Sequence, residues 1–269
     1  IKSLFDRSKF KKIIPDDNND WINQGKKDYR DFISLGTKDK NNKEIKIFKD
    51  YSSGFKTSRD SWNYNFSKKN LKNNVTKSID FYNQELNRYN KSKKDIKPIN
   101  FVDKDHTKIT WERTQIQNIE KNKPLQFKEK SIQECFYRPF TKLWGYTDEK
   151  FNSCVYQMPK IFPNNKEKNL VIIAPGTGNR NEFSTYISDK IPDLGFLSAC
   201  YCFPLKIFSK IDEGLFNTEN SYDAITDDVL KLFKTKLKLN SLKKEEIFYY
   251  IYGLFHSAEY RNKYKIKIL

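Results

Sequence analysis

One apolar stripe, and the change of period that follows it, constrains this chain more than anything else in its sequence. Leu71, Val75, Ile79, Tyr82, Leu86 and Tyr89 recur every three or four residues, with Lys, Asn and Gln between them. A helix over 69–90 gathers all six on one face, and that face must be buried against something. Residues 91–98 are a charged linker, and Trp111-Glu112-Arg113 opens a short helix through about 121. From 131 to 208 the pattern changes to short β-like runs separated by Gly, Pro and Asn. Strands are expected at 132–138, 142–146, 169–174, 183–188 and 195–203. A short strand is expected earlier, at 44–48, feeding a glycine loop at Gly54.

The period then returns to helical. Ile225, Val229, Leu232 and Phe233 mark one helix, with Thr226 as its cap and Asp227 and Asp228 in its first turn. Ile247, Ile251, Leu254 and Ala258 mark another, with Ser241 as cap and Glu245 and Glu246 near its positive end. At the front, residues 1–12 read as the end of a helix, and 13–21 as a turn-rich loop anchored by Trp21. There is no internal repeat. The class is α+β, a strand-rich middle flanked by a long helix and a C-terminal helical segment.

Composition then limits the partners. The 269 residues carry Lys+Arg 51 against Asp+Glu 34, a net charge of +17. A globular protein this basic usually meets a polyanion, nucleic acid or an anionic membrane surface. Eight residues are arginine and the other forty-three cations are lysine; asparagine is abundant too, as a codon bias toward A and T would produce. Part of the charge therefore need carry no function. No apolar run approaches the roughly 18 residues of a membrane span, and Ile1 opens no signal peptide. The chain starts without Met and stops in Lys265-Ile266-Lys267-Ile268-Leu269, as a piece cut from a longer polypeptide would. Cys135, Cys154, Cys200 and Cys202 lack paired metal-ligand spacing, so reduced thiols in a cytoplasmic protein are expected.

Searching for chemistry first returns absences. No phosphate-cradling Gly-x-x-x-x-Gly-Lys loop is present, and Ala174-Pro175-Gly176-Thr177-Gly178-Asn179-Arg180 has the wrong spacing for a nucleotide loop. It reads as a turn whose Asn179 and Arg180 could face a ligand. Only His106 and His256 are present, neither with an evident catalytic carboxylate. Asp148-Glu149-Lys150 matches half of a metal-dependent nuclease site, with Glu134 as the nearest partner acid. What remains is basic residues interleaved with aromatics: Lys56, Arg59, Trp62 and Tyr64; Trp111 and Arg113; Tyr137, Arg138, Lys142 and Trp144. Any one cluster also describes a core aromatic beside a solvated charge. Three on a chain of +17 favour nucleic-acid binding, with Lys and Arg on phosphates and Arg on a guanine edge. Gly54 would let backbone approach the ligand, and Asp60 would orient Arg59.

The series Ile14-Pro15-Asp16, Asp20-Trp21, Ser53-Gly54-Phe55-Lys56-Thr57-Ser58-Arg59-Asp60-Ser61-Trp62, Phe81-Tyr82-Asn83 and Ile109-Thr110-Trp111 resembles the C-terminal specificity region of type ISP restriction–modification enzymes. The likeness continues through Tyr137-Arg138-Pro139-Phe140, Cys202-Phe203-Pro204-Leu205 and Ile225-Thr226, then residues 247–261 and Tyr264. It departs where the family often has an acid and then an arginine after Tyr-Arg-Pro-Phe; here Thr141 and Leu143 stand there.

The resemblance implies a polypeptide carrying a nuclease, an ATP-driven translocase, an adenine methyltransferase and finally a target recognition domain. It implies that 1–68 is the end of the methyltransferase or its junction, and that 69–269 is the recognition domain with its helical end. Neither a Phe-x-Gly-x-Gly loop nor an Asn-Pro-Pro-aromatic loop is present, so no catalytic residue or cofactor is expected in this chain. S-adenosylmethionine, ATP and Mg²⁺ are implied for the full-length enzyme. Double-stranded DNA and the remaining domains of the polypeptide are the implied partners, with no membrane. Lys56, Thr57, Ser58, Arg59, Trp111, Arg113, Arg138, Asn179 and Arg180 are the expected DNA-binding residues. Two alternatives stay open: a nuclease fragment using Asp148 and Lys150, and a general RNA-binding or scaffolding protein resting on charge alone.

Overall fold

After a one-turn helix, α1 (Asp60–Asn63), the long helix α2 (Lys68–Asn90) forms where the stripe requires it, and Ser67 starts it by accepting a hydrogen bond from the Asn70 amide at 3.3 Å. All six stripe residues are buried, each contributing about 1.5–3 kcal/mol by leaving water. The computed structural model describes residues 12–15, 21, 31–39, 41–93, 95–164, 166–213 and 216–268. The helix expected at 1–12, apart from its last residue, and the middle of the loop expected at 13–21 lie outside the described residues.

Two short helices, α3 (Pro98–Phe101) and α4 (Arg113–Glu120), lie beside α2 over the same core, with Val102, Ile109 and Ile119 buried there. The floor of this layer is a four-stranded sheet of order β2-β4-β3-β7. Its strands are β2 (Tyr64–Asn65), β3 (Ile132–Arg138), β4 (Thr141–Tyr146) and β7 (Ile191–Pro192). Strand period 2 splits its side chains: Ile132 and Tyr146 face α2, whereas Cys135 and Leu143 face the opposite core.

A second sheet lies beyond that core, in order β1-β8-β5-β6: β1 (Ser52–Ser53), β8 (Cys200–Pro204), β5 (Val171–Pro175) and β6 (Tyr186–Ser188), all antiparallel. Its central strand β5 is buried on both faces, with Val171 and Ile173 toward the first sheet and Ile172 and Ala174 toward the far side. That accounts for an unbroken apolar run where a half-exposed strand would alternate. A short helix, α5 (Met158–Ile161), adds Met158 and Ile161 to the core between the sheets, and the far side is covered by α6 (Asp227–Leu237) and α7 (Lys244–His256), followed by α8 (Ala258–Ile268). The layers therefore run helix, sheet, sheet, helix.

Several expectations need correction. The strand expected at 195–203 begins only at Cys200, because Leu194–Leu197 forms a 3-10 turn and Ser198 sits at φ 72. The segment at 44–48 is not a regular strand; Lys46 bridges Ser34 and Phe48 bridges Ile225. Thr226 caps α6 as expected, but the cap of α7 is Lys243, whose amide is held by Glu246 at 2.7 Å, and not Ser241. A hairpin absent from the sequence reading joins β9 (Lys206–Glu213) to β10 (Phe216–Asp223). The 68/69 division falls one residue into α2, and β1 and β2 on its N-terminal side pair into both sheets. Among the described residues no helix is long and apolar enough to cross a membrane.

Candidate nucleic-acid interface

Three loops converge at one end of the paired sheets, and Gly54 shows why. The chain leaving β1 crosses the turn after β7 so closely that a Cβ on Gly54 would lie 2.6 Å from Leu194 Cα and 2.7 Å from the Asp193 carbonyl oxygen. The crossing is hydrogen-bonded: Phe55 N–H donates to Pro192 O and Leu194 N–H donates to Phe55 O, both at 2.8 Å. The glycine thus serves an approach of backbone to backbone, and the ligand approach read from sequence is replaced by this internal one. Phe55 then plugs the inter-sheet core.

The four residues after Phe55 split in two. Lys56 and Ser58 are exposed, with Ser58 at φ 57, while Thr57 and Arg59 are buried. Arg59 is 3% exposed and so is closed off from a base edge. Its Nη2 donates to the Phe151 carbonyl, and its guanidinium carbon lies 4.2 Å from the Phe151 ring centre. Nε and Nη1 have no hydrogen-bond partner among the described residues. Burial lowers its pKa to about 10, against a pull in the other direction from Glu112. Asp60 does not orient Arg59. It accepts from Thr57 Oγ1 and, at 2.9 Å, from the Tyr137 hydroxyl, and lies 3.6 Å from Arg138 Nη2. Thr57 and Asp60 thereby tie the Gly54 loop to the β3–β4 hairpin.

Asp193 completes that tie from the third loop. Its carboxylate accepts from Arg138 Nη1 at 2.6 Å, from the Tyr64 hydroxyl at 3.0 Å and from the Gly195 amide at 2.8 Å. Burial pushes the Asp193 carboxyl above its ordinary value, with Asp60 adding to the effect, and this outweighs the pull of Arg138. Burial acts to lower Arg138, but the pair with Asp193 leaves it raised. The Arg138 guanidinium also lies 3.9 Å from the Tyr137 ring centre. With its side chain 38% exposed, Arg138 is both a brace and a cation within reach of solvent. No sequence pattern marked Asp193, which is 55 residues from Arg138.

The remaining expected residues separate by exposure. Trp111 is a core aromatic: it packs on Tyr82, with ring centres 6.1 Å apart, and its Nε1 donates to Asp103 O at 2.7 Å. Arg113 is exposed at the start of α4. Hydrogen bonds link its neighbour Glu112 to Ser153, and Cys154 to Lys56, so this end of α4 is tied to the Gly54 loop. Asn179 is half-buried and bonded to Asn181 within the β5–β6 connection, while Arg180 beside it is exposed. One residue not singled out from sequence stands out here. Phe140, at the tip of the β3–β4 hairpin, is 89% exposed with φ 64.

The nuclease alternative fails on geometry. Asp148 is buried and consumed locally, accepting from the Lys150 and Phe151 amides at 2.9 and 3.2 Å and pairing with Lys128 at 2.7 Å. Glu134 pairs with Trp144 across the ladder, four residues from Asp148, and its carboxylate meets Lys190 at 3.5 Å. Among the described residues no group of three or more His, Cys, Asp or Glu is placed to hold a metal ion.

The fold and this surface define a basic α+β domain that displays cations on braced loops. Residues 46–268 match the Type ISP C-terminal specificity domain, and the chain belongs to that family. Among solved structures it is similar to the ATP-dependent Type ISP restriction–modification enzyme LlaBIII bound to DNA, with TM-score 0.79 and 33% identity over 97% of this chain and 16% of that one. A nuclease-deletion mutant of the Type ISP enzyme LlaGI in complex with a DNA substrate mimic gives TM-score 0.78 and 30% identity, over 95% of this chain and 22% of that one. A DrdV–DNA complex gives 0.77 and 29%, over 96% and 25%. The chain thus spans a quarter or less of the length of each of these structures. No curated protein matches it.

Proposed function

We propose that this chain is the sequence-specific DNA recognition domain of a restriction–modification enzyme, placing duplex DNA so that a methyltransferase domain outside it reaches one adenine for N6 methylation. The observation that carries this is the convergence of three loops, fastened by Asp60 and Asp193, that leaves Lys56, Ser58 and Arg138 open to solvent at one place. Family membership and three DNA-bound relatives of the same fold support it. Phosphate contacts by Lys56, Arg113 and Arg180 would set register, and base readout would fall to side chains on the fixed loops. Thr57, Arg59 and Trp111 serve the reading as supports of the loops. S-adenosylmethionine, ATP and Mg²⁺ would be handled by methyltransferase, translocase and nuclease domains of the same polypeptide.

The test is fluorescence anisotropy of the chain with a duplex selected from a random-sequence pool, a scrambled duplex and the matching single strand, over a salt series. Preference for the selected duplex is expected, with affinity falling as salt rises. Lys56→Ala, Arg113→Ala and Arg180→Ala should each lower the salt slope by about 1. Equal binding of all three nucleic acids would overturn the proposal.

A further inference from the structure

The β3–β4 hairpin closes in a way its sequence should resist. Arg138 pairs with Thr141, leaving Pro139 and Phe140 as a two-residue turn. Pro first and positive φ second is the pattern of a type II turn, whose second central position calls for Gly or Asn. Phe140 occupies it at φ 64. A bulky side chain in left-handed backbone is strained, and a type II turn is also a poor fit to the twist of a two-residue hairpin. The ring gains little burial in return: it is 89% exposed, and the ring beside it, Tyr186, touches edge-on with centres 6.1 Å apart. Strain held at an exposed position is a mark of function.

Beneath the ring the support is stiff. The Arg138–Asp193 pair, the Tyr137–Asp60 hydrogen bond and the Phe136–Phe196 contact, with ring centres 4.6 Å apart, fix the end of β3 from three sides. Lys142, two residues past the ring, is exposed, on a chain whose net charge is +17. A rigid, projecting aromatic on a cationic surface is suited to enter a base stack, because the cations hold phosphates while the ring takes the place of a stacked base. We infer that Phe140 is a wedge that inserts at one base step of the bound duplex and unstacks it. This rests on the DNA-recognition reading above.

The experiment uses this chain and the selected duplex, remade with 2-aminopurine replacing successive adenines. Wild type should raise the fluorescence severalfold at one position. Phe140→Ala should abolish that rise and weaken binding about ten- to hundredfold, while Phe140→Trp keeps the rise. Phe140→Gly should lose the rise and yet unfold at a higher temperature than wild type, since Gly relieves the positive φ; a residue with only a structural role would lower both. Binding with no fluorescence change at any position, or Phe140→Ala indistinguishable from wild type, would overturn the wedge, leave DNA recognition standing and assign the ring to a protein contact. Failure of wild type to bind any duplex would overturn both.

Discussion

Asp193→Ala removes the fastening of the three loops, and its cost can be worked from the contacts. Arg138 loses a charge-assisted hydrogen bond of 2.6 Å. Such bonds contribute about 1.5–3 kcal/mol, but with Arg138 38% exposed, water recovers part of that, leaving about 1 kcal/mol. The Tyr64 hydroxyl, on a side chain 6% exposed, is left without its acceptor, at about 1–3 kcal/mol. The Gly195 amide loses a bond of 2.8 Å, about 1 kcal/mol. The total is about 3–5 kcal/mol, within the ~5–15 kcal/mol a domain has available. Urea unfolding followed by tryptophan fluorescence measures it. With a slope of about 3 kcal/mol/M, the midpoint should fall by about 1–1.7 M without a change of slope. Two double-mutant cycles then apportion the loss: Tyr64→Phe and Arg138→Met should each cost about 1 kcal/mol in wild type and far less beside Asp193→Ala. A cost below about 1 kcal/mol, or additive cycles, would show that Asp193 does not fasten these loops.

Gly54→Ala forces a Cβ against the backbone of Asp193 and Leu194 and should cost about 3 kcal/mol or more; Gly178→Ala, which meets nothing within 4 Å but sits at φ 87, should cost about 1–2 kcal/mol, so equal midpoints in urea would refute the crossing argument. Arg59→Met removes a buried charge with two unpartnered nitrogens and should stay within about 1 kcal/mol of wild type in the same assay; its DNA salt slope should be unchanged, and a slope lowered by about 1 would mean that Arg59 does reach phosphate. Asp193 also sets a pH dependence. Its native pKa is raised above the unfolded value of about 3.9, so the native state binds the proton more readily there. The proton-linked part of its stability is fully present below the unfolded value and is lost as pH rises through the native one, while the bonds to Arg138, Tyr64 and Gly195 persist. Midpoints measured across that window should show this decline in wild type and not in Asp193→Asn.

Elements whose burial is decided within the segment were legible. The α2 stripe names its own buried face, and Val171-Ile172-Ile173-Ala174 lies within the segment read as a strand at 169–174. The Thr226 cap follows from one hydroxyl three residues before the amide it satisfies. The β9–β10 hairpin was not legible, because its paired residues include Ser209 with Asn220 and Lys210 with Glu219, which carry no period-2 apolar signal. Ser198 ended a run of strand formers through its backbone, which side-chain pattern does not report.

The candidate site was legible less evenly. Residue type marked Arg59 and Arg138 alike, as cations beside aromatics, and the fold gave them different work. Arg59 faces inward because the loop after Phe55 turns under Phe151, a contact 92 residues away in sequence. Arg138 stays at the surface because Asp193 holds it there from a segment whose strand β7 pairs in parallel with β3. Asp193 itself gives no local sign: one carboxylate before a glycine turn resembles any other. Phe140 differs, since Pro-Phe where a tight hairpin turn needs Gly is a conflict visible in residues 138–141 alone once that pairing is known. A cation count does not separate buried Arg59 from partly exposed Arg138, whereas a side chain at odds with its own backbone singles out Phe140. In a chain this rich in lysine, such local conflict discriminates better than charge, because lysine is placed on every solvated face while strain is tolerated only where the surrounding structure enforces it.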